Sequence, residues 1–447
     1  MKYDRGIPAI VFHFIYCRVS RFHSYLNSAS EILKQYKGAE PFSSFLKKFF
    51  SLQKKFGSRD RKEIAQLCYS YFRLGKDFTE LETSDRMLTG LFLCATGPNE
   101  IISALKPGWS EKISLPIPDK LNCLSPIHPD LSIFPWKNKL SEGIDFSLFN
   151  QSFLVQPNLF LRARPGLKEI VIEKLKKRGY QELATLFPGW KQGPEPAGLP
   201  PDGEAGNRLW VRLIGDHCIE LPNSSRIEEI TELDKEVVVQ DYNSQCIAEY
   251  FEMVRPGRSD HFKIWDCCAG SGGKSILAKD VLGDIKLTVS DIRESIISNL
   301  KKRFQKAGIS NFSGMIIDLS ASGSRFPAPP PGSRHSTSSY DLILCDAPCT
   351  GSGTWSRTPE QLYFFEETVI DQYASLQKKI VSNAMPALAP GGYFLYLTCS
   401  VFKKENEAIV EFIKEEFHLT LVKMELLNGY DKKADTMFAA LFTTSAV

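Results

Sequence analysis

From Ser244 onward the chain alternates short apolar runs with amphipathic stretches, and no other feature limits its fold as strongly. The runs "FKIWDCC", "KLTVSD", "FSGMIID", "YDLILCD" and "GGYFLYLTCS" read as strands. Between them lie "KSILAKDVL", "RESIISNLKKRFQKAG" and a long stretch around "VIDQYASLQKKIVSNAMPAL", all with helical periodicity. The helix "ENEAIVEFIKEEF" and two more strand-like runs close the sequence. Strands that alternate with helices predict an α/β domain over 241–447 with a doubly wound, mostly parallel sheet, which binds ligands at the carboxyl ends of its strands.

The remainder is organised differently. From Phe22 to about Thr96 the pattern is helical throughout. In "GSRDRKEIAQLCYSYFRLG", Ile64, Leu67, Cys68, Tyr71 and Phe72 fall on one helix face, with Ser58 as the expected cap and Gly75 as the stop. Residues 21–150 are therefore read as a helical domain whose proline-rich end, Pro107 to Pro135, is a linker, with 1–20 as an extension. "NLFLRARPG", "LKEIVIEKLKKRGY" and "RLWVRLI" read as strand, helix and strand, a small α+β module over 151–240.

Composition narrows the class. A chain of 447 residues with 43% hydrophobic and 24% charged residues is an enzyme-sized globular protein of two or three domains. The net charge of +3 says little about partners, so a nucleic-acid reading rests on the local clusters "KKFFSLQKKFGSRDRK" and "EKLKKRG". Eleven cysteines with no Cys-x-x-Cys pair argue against a zinc ribbon or a disulfide framework, and for a reducing compartment. No metal is expected. The amino-terminal apolar run is too short to span a membrane and is broken by His13, so the expectation is a cytoplasmic protein without a membrane partner, acting as a monomer.

The glycine turn "DCCAGSGGKS" follows the first strand of the alternating part and opens its first helix, where backbone amides face a ligand. Its glycines are too close together for a triphosphate-binding loop. Asp291, Asp318 and Asp346 end the strands that follow. One such aspartate is ordinarily a cap or turn residue; three around one glycine turn point to an adenosine-containing cofactor. Cys349 in "DAPCTGSG" lies just beyond the strand that Asp346 ends, and Cys399 in "YLTCS" at the end of one further strand. Free cysteines are ordinarily small buried hydrophobes, but two thiols placed this way beside an aspartate suggest chemistry.

"DCCAGSGGK", "DAPCTGSG" and "YLTCSVFKKENE", in this order, resemble the motifs of the RsmB/Nop/Sun family of RNA cytosine-C5 methyltransferases. "VVVQDYNSQ" is similar to the segment leading into that family's catalytic domain, and "LFLRARPG" to its RNA-facing strand and turn. "PFSSFLKKFFSLQKKFGSRDRKEI" resembles the NusB-like helical domain of the family's bacterial 16S rRNA enzyme. The likeness covers nearly all of the chain after about residue 20. It implies a Rossmann-like methyltransferase domain that uses S-adenosyl-L-methionine to form 5-methylcytosine in RNA, with 16S rRNA as the substrate.

The resemblance also implies roles. Cys399 would be the nucleophile that adds to carbon 6 of the base, Cys349 would assist proton loss or release of the adduct, and Asp346 would hydrogen-bond near ring nitrogen 3. Cys268, Ala269, Gly270, Ser271, Gly272, Gly273 and Lys274 would form the cofactor loop, Asp291 would hold the ribose, Asp318 the adenine, and Asp346 would reach both ligands. The substrate cytosine would be single-stranded or flipped out, and the basic segments at 47–62 and 162–178 would touch RNA backbone. Ser271 stands where the family usually has proline, the low-complexity insert Ser320 to Ser339 is unusual, and the carboxyl end departs from the usual Asp-Gly-Phe-Phe. Three alternatives remain: a DNA-type enzyme in which Cys349 attacks, a non-catalytic RNA-binding or assembly factor, and tRNA as the substrate.

Overall fold

The computed structural model describes residues 9–124, 131–186, 209–255, 262–321 and 339–444. The chain divides into two compact units. One comprises residues up to Lys137, with Phe146–Gln156 and Trp355–Phe365; the other comprises Asn138–Asp145, Pro157–Thr354 and residues from Glu366 onward.

The first unit is helical. Its main helices are Ala9–Gln35, Phe42–Leu52, Ser58–Arg73 and Thr83–Cys94. The first of them runs through position 20 without a break. Ile64, Leu67, Cys68 and Phe72 lie buried with Phe22, Ile32, Phe42 and Leu91, because one apolar stripe per helix must be covered by its neighbours. Gly57, not Ser58, precedes the helical turn: the Asp60 carboxylate accepts the Gly57 N–H at 2.9 Å, and Ser58 becomes the first helical residue. Of the expected linker, Pro107–Ser110 and Ile117–Leu124 are helical, while 125–130 lie outside the described residues.

A contiguous reading of the boundaries misses the piece Trp355–Phe365. It belongs to this helical unit although it comes from the middle of the alternating sequence. The reason is local: Trp355 is 1% exposed and packs on Phe134 and Phe365, Phe42 N–H donates to Glu360, and Tyr363 meets Tyr71 hydroxyl to hydroxyl at 3.1 Å. Arg73 donates to the carbonyls of Phe153 (2.7 Å) and Ser356 (3.1 Å), so a buried cation is satisfied by backbone acceptors.

The second unit contains both sheets. The smaller is formed by β1 (Leu159–Ala163), β2 (Gln181–Glu182), β3 (Trp210–Ile214), β4 (Cys218–Leu221) and β5 (Val237–Val239) in the order β2-β3-β4-β1-β5. The larger is formed by β6 (Lys263–Asp266), β7 (Lys286–Asp291), β8 (Phe312–Ile316), β9 (Tyr340–Asp346), β10 (Leu388–Thr398), β11 (Thr420–Leu427) and β12 (Met437–Thr443). Its order is β11-β12-β10-β9-β6-β7-β8, parallel from β10 to β8 and antiparallel where β12 joins β10 and β11. The α/β class expected from the alternation is the class observed. The central strands β9 and β10 are apolar along most of their length because helices cover both faces. Most of the insert Ser320 to Ser339 lies outside the described residues, as does the opening to residue 8. No helix among the described residues is long and apolar enough to cross a membrane.

One expectation about the basic segments is overturned here. Arg162, on β1, and Arg164 turn inward onto Asp280 at 2.5 and 2.8 Å, with side-chain exposures of only 5, 13 and 6%. The Asp280 carboxylate lies between the two guanidiniums and both are turned away from solvent, so neither arginine is placed to serve an RNA backbone. Lys176, Lys177 and Arg178 farther along the same segment are exposed. In the 47–62 segment, Lys47, Lys48, Lys54, Lys55, Arg59, Arg61 and Lys62 face solvent, while Phe49 and Phe50 are core residues rather than stacking platforms.

Candidate active site at the strand ends

The parallel strands β6, β7, β9 and β10 bring their carboxyl ends to one edge, and the singled-out residues gather there. β6 leads directly into the glycine turn. Gly270 and Gly272 take positive φ, +50° and +81°, and a Cβ on Gly272 would meet Phe304 at 2.7 Å and Leu300 at 3.1 Å. Only glycine fits at Gly272, because both the backbone conformation and the space forbid a side chain. The helix Gly273–Leu282 then starts with its free amides at the turn. Ser271, exposed, is held by Arg303, which donates to its carbonyl and hydroxyl at 3.1 and 3.0 Å.

Asp291 ends β7 and accepts the Gly270 N–H at 3.2 Å and the Arg293 N–H at 3.0 Å, so it ties the glycine turn to the next strand. Asp318 lies two residues beyond β8 and accepts both the N–H (2.8 Å) and the hydroxyl (2.5 Å) of Ser320. Those bonds hold its carboxyl below the usual range. Asp318 is thus a turn residue in its local geometry, whatever else it binds.

Asp346 ends β9 and is half-buried. The Lys274 ammonium donates to it at 2.7 Å, joining the glycine turn to the "DAPC" loop by an ion pair. Burial works against the charge on Lys274, but Asp346, Cys399 and Asp266 outweigh it and hold the ammonium above the ordinary lysine range. β10 lies beside β9 with Leu397 opposite Asp346, and Cys399 follows its last residue. Burial pushes the Cys399 thiol up to about 12, with Lys274 pulling in the opposite direction. Cys349 is raised as well, by burial first and then by Cys399. Both residues are half-buried.

What holds the two cysteine loops together escaped the sequence reading. Glu405, fully buried, accepts the Thr350 N–H at 2.8 Å, the Thr350 hydroxyl at 2.7 Å, the Gln377 amide at 3.3 Å and the Ser400 hydroxyl. Gln377 also donates to the Pro348 carbonyl at 3.0 Å. Gly353 N–H donates to the Cys399 carbonyl at 2.8 Å, and a Cβ there would strike the Thr436 carbonyl at 2.0 Å. The only signal for Glu405 in the sequence was its place in "KKENE", which carried no assigned role.

Asp266 was missed as well. It ends β6, is 1% exposed, and receives the Ser275 hydroxyl at 2.6 Å on one oxygen. Its other oxygen, Oδ1, is buried with no partner among the described residues. Burial pushes its carboxyl up to about 7.

Comparison with known proteins adds to this geometry. Residues 253–442 match the family model described as 16S rRNA methyltransferase RsmB/F. Ribosomal RNA small subunit methyltransferase B of Enterobacter sp. (strain 638) is 32% identical over 190 residues, 41% of this chain and 40% of that relative. The enzyme of the same name from Erwinia tasmaniensis is 26% identical over 223 residues, 49% of this chain and 48% of that one. The matched stretch thus spans less than half the length of these curated relatives. The crystal structure of PH0851 superposes with a TM-score of 0.59 at 16% identity, covering 98% of this chain and 100% of that one, a likeness that speaks for the fold alone. Over residues 253–442 the chain is thus similar to the RsmB/F methyltransferases.

Proposed function

We propose that the protein is an S-adenosyl-L-methionine-dependent RNA methyltransferase that forms 5-methylcytosine, with small-subunit ribosomal RNA as its substrate. The observation that carries this reading is the Lys274–Asp346 ion pair, which joins a glycine turn suited to the cofactor to a loop bearing a Pro-Cys thiol, beside a second thiol on the next strand. The donor set fits the cofactor. The left-over Oδ1 of Asp266 is a buried acceptor suited to a cationic amine, and the glycines leave room for close backbone approach. Cys268 to Lys274 would cradle the cofactor, with Asp291 toward the ribose, Asp318 toward the adenine and Asp346 between cofactor and base. When bound, the cofactor supplies an electrophilic methyl group.

The chain's own residues prepare the base. Carbon 5 of cytosine is a weak nucleophile until a thiolate adds to carbon 6. Cys399 is that thiol, and its raised pKa means that it must lose its proton as substrate binds, with the Lys274 ammonium favouring the anion. Asp346 faces ring nitrogen 3, and the proton it needs as charge develops there is at hand on Lys274. Cys349, raised by burial, suits proton transfer during release rather than attack. The Lys274 ammonium, which draws the Cys399 thiol down, favours Cys399 over the DNA-type alternative. The exposed lysines and arginines of 47–62 and 176–178 are the RNA-facing cations, placed on a helical domain and a small α+β module that serve binding.

Methyl transfer to unmodified ribosomal RNA, measured for wild type, Cys399→Ala and Cys349→Ala with denaturing gels alongside, tests the reading. It stands if both variants are inactive and only Cys349→Ala accumulates an RNA–protein adduct. Activity in Cys399→Ala overturns the assignment of the nucleophile; transfer to tRNA alone overturns the substrate; failure of wild type to bind the cofactor returns the chain to a non-catalytic RNA-binding role.

A further inference from the structure

Three thiols, one of them Cys268 of the cofactor loop, converge at the glycine turn. β6 and β9 are parallel with Asp266 opposite Leu344, and Cys267 N–H donates to the Leu344 carbonyl at 2.9 Å. The next residues along, Cys267 and Cys345, therefore leave the two strands side by side. Their sulfurs and that of Cys268 all lie within 4.8 Å of one another. Cys267 and Cys345 are 2% and 0% exposed, whereas Cys268 is half-buried and is the most open residue of the three.

We propose that Cys268 and Cys345 are a modification site, a thiol pair that hydroperoxides convert to a disulfide which disables the cofactor loop. The consequence for the cofactor rests on the function proposed above. Cys268, whose thiol pKa is raised, gives up its proton through the neighbouring Cys345 sulfur as it attacks the terminal peroxide oxygen; the O–O bond breaks, and an alcohol or water leaves with that proton, giving a sulfenic acid. The Cys345 thiolate then attacks that sulfur and expels hydroxide, which leaves as water. Two thiols lose two electrons and two protons to the peroxide. Cys345 suits the second step because its sulfur lies beside that of Cys268, and hydrogen bonding from Cys267 and Cys268 lowers its pKa. Cys267 is the poorer partner for Cys268, since adjacent residues can bond only through a strained small ring.

Closing the bond draws the sulfurs to about 2 Å. Cys268 opens the cofactor loop and Cys345 immediately precedes Asp346, so the contraction acts on both ends of the Lys274–Asp346 link.

The test oxidises reduced full-length protein with hydrogen peroxide, maps its disulfides by peptide mass spectrometry, and measures S-adenosyl-L-methionine binding before and after dithiothreitol. The expected result is a Cys268–Cys345 link with at least a ten-fold loss of affinity, restored by reduction. Cys345→Val, which keeps an apolar side chain on the strand, and Cys345→Ala should bind normally when reduced and show no reversible loss. A link mapped instead to Cys349–Cys399 or to Cys267, or a Cys268–Cys345 link without loss of binding, overturns the proposal. If reduced wild type binds no cofactor, the proposed function fails, and the mapping still decides the thiol pair.

Discussion

The two halves of the strand-end site are held by different means. Around the glycine turn, β6 and β7 present mostly backbone: amides at a helix start, Gly272 pressed on Phe304, and one carboxylate, Asp291, accepting a loop N–H. Around the two cysteine loops, β9 and β10 rely on buried side chains gathered at Glu405. A backbone cradle tolerates variation at exposed positions such as Ser271, whereas a buried network fails as a unit once one acceptor is lost. The difference teaches where each half is vulnerable.

Four experiments would break or sharpen that contrast. Cys399→Ala should lower methyl transfer by more than about 10³-fold while leaving cofactor binding intact, because only the chemistry half loses a group. Glu405→Ala should strand the donors of Thr350, Gln377 and Ser400, cost about 2–4 kcal/mol of stability, and reduce turnover far more than cofactor affinity; chemical denaturation and single-turnover rates would show it. Equal losses of turnover and cofactor affinity would mean that the two halves are not separable. Gly272→Ala should do the reverse, weakening cofactor binding through an overlap with Phe304 and a strained positive φ, at a stability cost of about 1–3 kcal/mol.

The smallest effect concerns Asp266. Its folded carboxyl titrates near 7 against an ordinary 3.8, so between those values the folded state holds a proton that the unfolded state has released. Its contribution to stability therefore falls as pH rises from about 4 to 7 and is flat above. Asp266→Asn should remove that slope in urea titrations carried out across the range. A cationic amine beside Oδ1 would pull the pKa back down, so cofactor binding to wild type should tighten as pH rises toward 7, with proton release measurable by calorimetry in buffers of different ionisation enthalpy.

Much of this was legible in the primary structure. The alternation after Ser244 announced a parallel sheet because buried strands are short apolar runs and each crossover needs a helix. "DCCAGSGGK", "DAPCTGSG" and "YLTCS" marked the strand ends because ligands in such sheets bind there. Arg162 and Arg164 misled, since a basic letter does not say which way its side chain turns; Asp280, more than a hundred residues away, decides that. Trp355–Phe365 misled because its hydrophobic pattern fits either unit.

The sequence by itself determined the class of the larger sheet and the thiols and carboxylates available to it, since periodicity and side-chain chemistry are local properties. Only the tertiary structure decided which of those groups meet. Lys274 pairs with Asp346, Glu405 gathers the two cysteine loops, and Cys345 joins Cys267 and Cys268, through parallel neighbours far apart in the chain. Strand order and register make those encounters, and neither is written in any single stretch of residues.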